Sequence, residues 1–290
     1  MEMKCFWLKF MMMLQMMFMA APQVHAGDQK EYVVGYSHYT GWDIWTYIVD
    51  SGLLKKHADM QDVKIRMQLF NSYMESITAY STKNLIGVTI TNYDTLITPA
   101  VGGIDSEVNA VGDFSNGNDG VVFKNADKPE DIIGRDVHLV VGSISEYALA
   151  RFLEQNKISP AQIKMVNVSD DSDMAAVFKS AGDKAACVTW NPSLQICRGE
   201  KGAKLVWDSS QVPGEIIDMM ITRADAPDGV KKALAGAWYE TMTIMSGQGK
   251  ATDEMITAVA KAAGGTLEEY KAQLKTTRMF YSPVEAVEFT

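Results

Sequence analysis

VNAVGDFSNGNDGVVFK, Val108 to Lys124, is the stretch that decides the architecture. Two strand-like runs, VNAVGDF and GVVFK, flank DFSNGNDG, Asp113 to Gly120. The Asp, Asn, Ser and Gly residues between them favour turns, because they bond nearby backbone or tolerate unusual dihedrals. On both sides of this crossover, strand-like and helix-like segments alternate, the pattern of α/β folds with mostly parallel sheets. Upstream, YVVGY reads as the first strand and Trp42 to Lys56 as a helix. VKIRMQLF, Val63 to Phe70, places Val63, Ile65, Met67 and Leu69 on one face at period two. Ser72 and Glu75 form a capping box that opens a helix carrying Ile77 and Tyr80 inward. IGVTIT, Ile86 to Thr91, then ends in the polar corner TNYD. Downstream, GVVFK, DVHLVV, KMVNV, ACVTW and KLVW alternate with helices over Ser145 to Asn156 and Asp171 to Ser180. IIDMMITR, Ile216 to Arg223, resembles a return strand, and the rest is helical. The expected fold is a two-lobed α/β clamshell with a helical C-terminal segment, and in such folds ligands bind where strands give way to helices.

The chain has 290 residues, 47% of them apolar, enough for a sizeable core. A net charge of -9 and the lack of any Lys/Arg run argue against a nucleic-acid partner. Residues 1–26 read as a secretory signal peptide: Lys4 and Lys9 lead into FMMMLQMMFMAA, and Val24 and Ala26 supply the small residues before the cut. A membrane anchor is the competing reading, but Gln15 and Pro22 cut the apolar run well short of the about 20 residues that span a bilayer. Cys5 would leave with the signal. Cys187 and Cys197 remain, and the sequence leaves open whether they pair or stay as buried thiols. No CxxC, HExxH or histidine cluster suggests a metal, and no nucleophile elbow, P-loop or dinucleotide motif suggests catalysis or a cofactor.

Five corners carry the chemistry: GYSHYTGWDIWTY, TITNYDTLITP, VGDFSNGNDGVV, GSISEY and VTWNPS. None contains Lys or Arg, the usual companions of a bound anion, so a cationic or neutral ligand is favoured. Tyr39, Trp42 and Trp190 offer aromatic faces to a cation, whereas Trp45, at helical spacing from Ile48, reads as core. Asp94 fits either a helix cap or a ligand contact, and Asp113 and Asp119 sit where turn chemistry alone would place an Asp. Ser143 and Ser145 fit caps of the next helix, and His38 shows no evident carboxylate, Ser or Cys partner by spacing. The candidate ligand set is Tyr39, Trp42, Asn92, Asp94, Asp113, Ser145 and Trp190.

These corners also carry a resemblance. The run from Val33 to Lys56, ending in SGLLKK, resembles the substrate-binding proteins of ABC importers in the nitrate, sulfonate and taurine group. GYSHYTGW, TNYDTL, VGDFSNGNDGVV, SISEYALARFLE and VTWNPSL are similar to the subgroup associated with urea carboxylase and with urea or guanidine uptake. The resemblance implies a type II periplasmic-binding fold, with one lobe from 27–112 plus 222–290 and the other from 113–221. It also implies a periplasmic location, a small-molecule solute, an inner-membrane ABC permease as partner, and a further C-terminal helix beyond TTRMFYSPVEAVEFT. Urea is neutral and needs donors to its carbonyl oxygen; guanidinium has only donors and a positive charge, which carboxylates and aromatic faces suit. The corners supply the latter, so guanidinium is expected. Urea or a taurine- or nitrate-like solute, and more remotely an enzyme of cofactor biosynthesis on the same fold, are the alternatives.

Overall fold

The computed structural model describes residues 30–290, and the folded body runs from Glu31 to Thr290. The signal peptide expected over 1–26 lies outside the described residues. The first half opens with β1 (Glu31–Ser37), α1 (Ile44–Asp50), α2 (Leu53–Met60), β2 (Lys64–Phe70), α3 (Tyr73–Ser81), β3 (Gly87–Thr91) and the short α4 (Asn92–Thr95). The single helix expected over Trp42 to Lys56 is two helices, because Gly52 takes φ +78°, a left-handed conformation that ends one helix and starts the next. β4 (Ser106–Ser115) runs straight across into β5 (Asp119–Lys124). The second half then builds β6 (Asp136–Leu139), α5 (Ile144–Gln155), β7 (Lys164–Asn167), α6 (Met174–Ser180), β8 (Ala185–Trp190), α7 (Ser193–Gly199) and β9 (Ala203–Asp208). β10 (Ile217–Arg223) returns to the first half, followed by α8 (Asp228–Met245), α9 (Lys250–Ala262), α10 (Leu267–Leu274), β11 (Thr277–Met279) and α11 (Pro283–Phe289).

The strands form two sheets, ordered β11-β4-β10-β3-β1-β2 and β7-β6-β8-β5-β9. Both are mixed, which corrects the expectation of mostly parallel sheets. β1 pairs with β2 and β3 in parallel, and β6 with β7 and β8, as strand-helix-strand units require. The strands that cross between halves run the other way: β10 is antiparallel to β3 and β4, and β5 is antiparallel to β8 and β9. A strand entering a sheet from the other half arrives at the opposite end, so its direction is reversed. Because β4 reaches Ser115 and β10 begins at Ile217, both belong to the first sheet, several residues inside the 113–221 segment that the resemblance assigns to the other lobe.

The apolar faces close around these sheets. Trp45 and Ile48 of α1 pack with Trp238 and Met242 of α8 on the first sheet, the two indoles lying 5.4 Å apart. Phe123, Phe152, Val188 and Trp207 fill one face of the second sheet, and Cys187, Cys197 and Phe178 fill the other. Both cysteines are free thiols. Among the described residues, no helix is long and apolar enough to cross a membrane. The ends of β3, β4 and β10 in one sheet, and of β5 and β8 in the other, meet a cluster of aromatic residues, and the polar chemistry collects there.

Candidate functional site

Strand register assembles the site. Asp218 of β10 lies opposite Asp113 of β4 on one side and Thr91 of β3 on the other, so the three residues form one row across the first sheet. In the second sheet Asp119 of β5 lies opposite Trp190 of β8. Tyr39, Trp42, Tyr73, Thr91, Asp119, Ile144, Trp190, Ile216 and Asp218 wall the chamber between these rows. About 10 Å³ of it is open to the centre of a water-sized sphere, room for about one water molecule, so a larger solute needs the walls to part. No Lys, Arg or His is among the lining residues.

One wall is continuous aromatic surface. Tyr39 meets Trp42 at 5.0 Å between ring centres, Trp42 meets Tyr73 at 5.2 Å, and Tyr73 meets Trp190 at 5.7 Å. Each contact is edge-on or tilted, the arrangement the ring quadrupoles favour. Tyrosine hydroxyls tie this wall to the acids: Tyr39 Oη donates to Asp113 Oδ1 at 2.8 Å, and Tyr73 Oη donates to Asp94 Oδ2 at 2.6 Å. Gly41 makes the fit possible. A Cβ there would stand 2.2 Å from Asp113 Oδ2 and 2.9 Å from the Tyr39 ring.

The carboxylates are buried and under-partnered. Asp94 and Asp113 are fully inaccessible, and Asp119 and Asp218 nearly so. Asp94 Oδ1, Asp113 Oδ2 and Asp218 Oδ2 make no close hydrogen bond to a fixed donor among the described residues, but the Ile144 N–H stands near Asp94, and Asp113 and Asp218 hydrogen-bond each other when one keeps its proton. Burial raises Asp94 from its ordinary 3.8 to about 6, with the Tyr73 and Thr91 hydroxyls pulling the other way. Burial likewise raises Asp119 to about 7, against the Ser115 hydroxyl and with repulsion from Asp94 added. Asp113 and Asp218 are raised together, first by burial. Residues directly opposite on antiparallel strands have Cβ atoms roughly 4.5–5.5 Å apart, so the Asp113 charge raises Asp218, while a proton held by Asp218 hydrogen-bonds Asp113 and pulls it back down, against repulsion from Asp119. Among the described residues, no group of His, Cys, Asp and Glu is arranged to hold a metal ion.

Of the residues expected from sequence, Tyr39, Trp42 and Trp190 line the chamber, and Asp94 and Asp113 stand just behind it on the tyrosine hydroxyls. Asp94 is not the cap of α4. Thr91 caps it, its Oγ1 accepting from Asp94 N at 3.1 Å and donating to Asp94 Oδ2 at 2.9 Å. Ser143 caps α5, which leaves Ser145 Oγ buried and without a partner. Asn92 is used differently: its amide donates to the Glu215 carbonyl at 3.0 Å and accepts from Ile217 N at 3.1 Å, fastening α4 to the returning strand. His38 does have a carboxylate partner, Asp43, five residues along, with Nδ1 and Oδ1 2.8 Å apart. Tyr73 and Asp218 were missed. Asp218 had a signal, since an acid inside the apolar run IIDMMITR sits where a strand is buried; Tyr73 was hidden inside a capping box.

The fold is that of the periplasmic binding proteins. The alkanesulfonate-binding protein SsuA from Xanthomonas axonopodis pv. citri superposes with a TM-score of 0.72 at 14% identity, covering 91% of this chain and 90% of that one. The periplasmic aliphatic sulphonate binding protein SsuA from Escherichia coli gives 0.69 at 17% identity, over 90% and 89%. Residues 105–223, from β4 to the end of β10, match the family described as NMT1/THI5 like. The taurine-binding periplasmic protein of Escherichia coli (strain K12) is 32% identical over 108 residues, 36% of this chain and 32% of that protein. The matching region therefore spans about a third of that relative's length.

Proposed function

We propose that this protein is the solute-binding component of an ABC-type importer, that it works in the periplasm, and that it captures guanidinium between its two halves for delivery to a membrane permease. The names of the proteins it resembles support the importer setting. The ligand reading rests on one observation: buried carboxylates with no counter-charge stand beside an aromatic wall, in a chamber lined by no cationic side chain. Buried carboxylates without a counter-charge are costly, and a small planar cation removes that cost twice over. Its N–H groups supply parallel hydrogen bonds to carboxylates, and its face attracts the rings by about 0.5–2 kcal/mol each.

A second reading has its own support. Among the described residues, the buried hydroxyl of Ser145 and the indole Nε1 of Trp42 have no partner, and Ile144, at the start of α5, lines the chamber. A urea carbonyl, or the sulfonate of a taurine-like solute, would use such donors. A sulfonate would also face several carboxylates, which opposes it. Titrating the protein from residue 27 onward with guanidinium, urea, taurine and nitrate, following tryptophan fluorescence, separates these cases. Guanidinium stays far below denaturing concentrations. Saturation by guanidinium alone is expected; saturation by taurine or nitrate with none by guanidinium would overturn the cation reading.

A further inference from the structure

Outside the chamber, one side chain of α10 joins two parts of the molecule that are distant from it and from each other in sequence. Gln273, near the end of α10, accepts a hydrogen bond from Thr40 Oγ1 at 3.0 Å and donates to Gln195 Oε1 of α7 at 2.8 Å. Thr40 lies between Tyr39 and Trp42 in the corner that walls the chamber. Its carbonyl also accepts from Tyr270 Oη at 2.7 Å, so α10 grips this residue twice. Gln195 N in turn donates to Asn191 Oδ1 at 3.0 Å, next to Trp190. A chain of hydrogen bonds thus runs from the Tyr39–Trp42 corner on the first sheet, through Gln273 and Gln195, to the Trp190 corner on the second.

The setting of this bridge is open. Two cavities of about 350 Å³ each flank it, and Gln195 and Gln273 form part of the wall of both. The halves are bridged here by a polar strut across a groove, and Asn191 Nδ2 also reaches Thr276 Oγ1 at 3.5 Å beside it. A strut of this kind opens at little cost: a neutral hydrogen bond contributes modestly because water replaces it when it breaks.

We propose that Gln273 is a positioning residue, the latch that makes closure of the two halves and the shaping of the Tyr39–Trp42 corner one event. The Gln273 carboxamide can satisfy Thr40 and Gln195 together only when α7 has come up against α10, so the corner is held in its ligand-enclosing form in the closed arrangement. The latch acts through Thr40 and Gln195 and does not touch the ligand. Closing over a ligand is assumed; which ligand is not.

Stopped-flow mixing with guanidinium chloride tests it. Gln273→Ala and Gln195→Ala should each raise the dissociation rate about three- to tenfold, the worth of one neutral hydrogen bond. The association rate and the preference for guanidinium over urea should stay as they are. The double variant should be no worse than the worse single one, since both remove the same bridge. Gln273→Glu should restore slow dissociation, because a carboxylate accepts from Thr40 and from a turned Gln195 amide. An unchanged dissociation rate in either single variant, or effects that multiply in the double one, would overturn the proposal. Amide exchange in the presence of whichever of guanidinium, urea, taurine and nitrate saturates the protein separates this from the guanidinium reading. Gln195→Ala should speed exchange over residues 39–43, on the other sheet; a change confined to the neighbourhood of residue 195 would also overturn it.

Discussion

Guanidinium binding should release protons and weaken in acid. Asp119 and Asp94 are held at about 7 and about 6 by burial, and a guanidinium ion placed among them favours their charged forms and lowers both values. Guanidinium keeps its charge throughout, so every proton exchanged belongs to the protein. For one carboxylate at about 7 that must ionise, the apparent dissociation constant is nearly unaffected at about pH 8 and rises roughly tenfold by about pH 6. The group at about 6 adds roughly a further twofold at that pH. Acidification from about pH 8 to about pH 6 should therefore weaken binding on the order of twentyfold.

Stability without ligand should move the other way. Carboxyl groups whose folded values lie above the unfolded ones contribute stability that is fully present below the unfolded value, near 3.8, and is lost as pH rises through about 6 and about 7. For Asp94, a rise of about two units corresponds to about 3 kcal/mol. The ligand-free protein should melt higher at about pH 5 than at about pH 8, and guanidinium should narrow or reverse that difference. Isothermal titration calorimetry at several pH values, in buffers with different ionisation heats, counts the released protons. A dissociation constant flat between pH 6 and 8, with no dependence on buffer, would refute the placement of a cation among these carboxylates.

Three substitutions divide the chamber's parts. Asp94→Asn keeps a hydrogen-bond acceptor for Tyr73 and Thr91 but removes the charge. Guanidinium affinity should fall about ten- to a hundredfold, the range of charge-assisted hydrogen bonds, while the ligand-free melting temperature at neutral pH rises; fluorescence titration and thermal scanning read the two effects. Gly41→Ala puts a methyl group within 2.2 Å of Asp113 Oδ2, so that carboxylate or the corner must shift. Binding should weaken more than the melting temperature drops, and unchanged affinity would separate Asp113 from the ligand. Trp45→Ala, which removes an indole packed on Trp238, should cost about 3–5 kcal/mol in thermal unfolding and leave the affinity of the remaining folded protein nearly intact.

Much of this organisation was legible because local chemistry and global fold agree where the chain crosses between halves. DFSNGNDG announced the turn between β4 and β5, and Trp45 with Ile48 announced the face that packs on α8. The mixed character of the sheets was hidden for a physical reason. Strand direction is set by which end of a sheet the chain enters, a property of the crossovers and not of any strand's own residues. Tyr73 illustrates the same limit on the site. Its place beside the Ser72 cap, whose hydroxyl accepts from Glu75 N, accounts for α3, yet its hydroxyl reaches Asp94, twenty-one residues on, through packing that no local pattern encodes.

Asp113 and Asp218 carry the argument furthest. Separately, one reads as a turn residue and the other as an oddity in an apolar strand. Register places them opposite each other, where two carboxylates destabilise a sheet unless something offsets their repulsion. Tyr39 donates to Asp113 Oδ1, and the two acids stand within hydrogen-bonding reach of each other, so a proton kept by one offsets part of their repulsion. A structure whose only task was to stay folded would do better with Asn or Thr at either place. Once both are ionised the paired acids lack a counter-charge, which the proposed guanidinium would supply, and the aromatic wall beside them suits its flat shape.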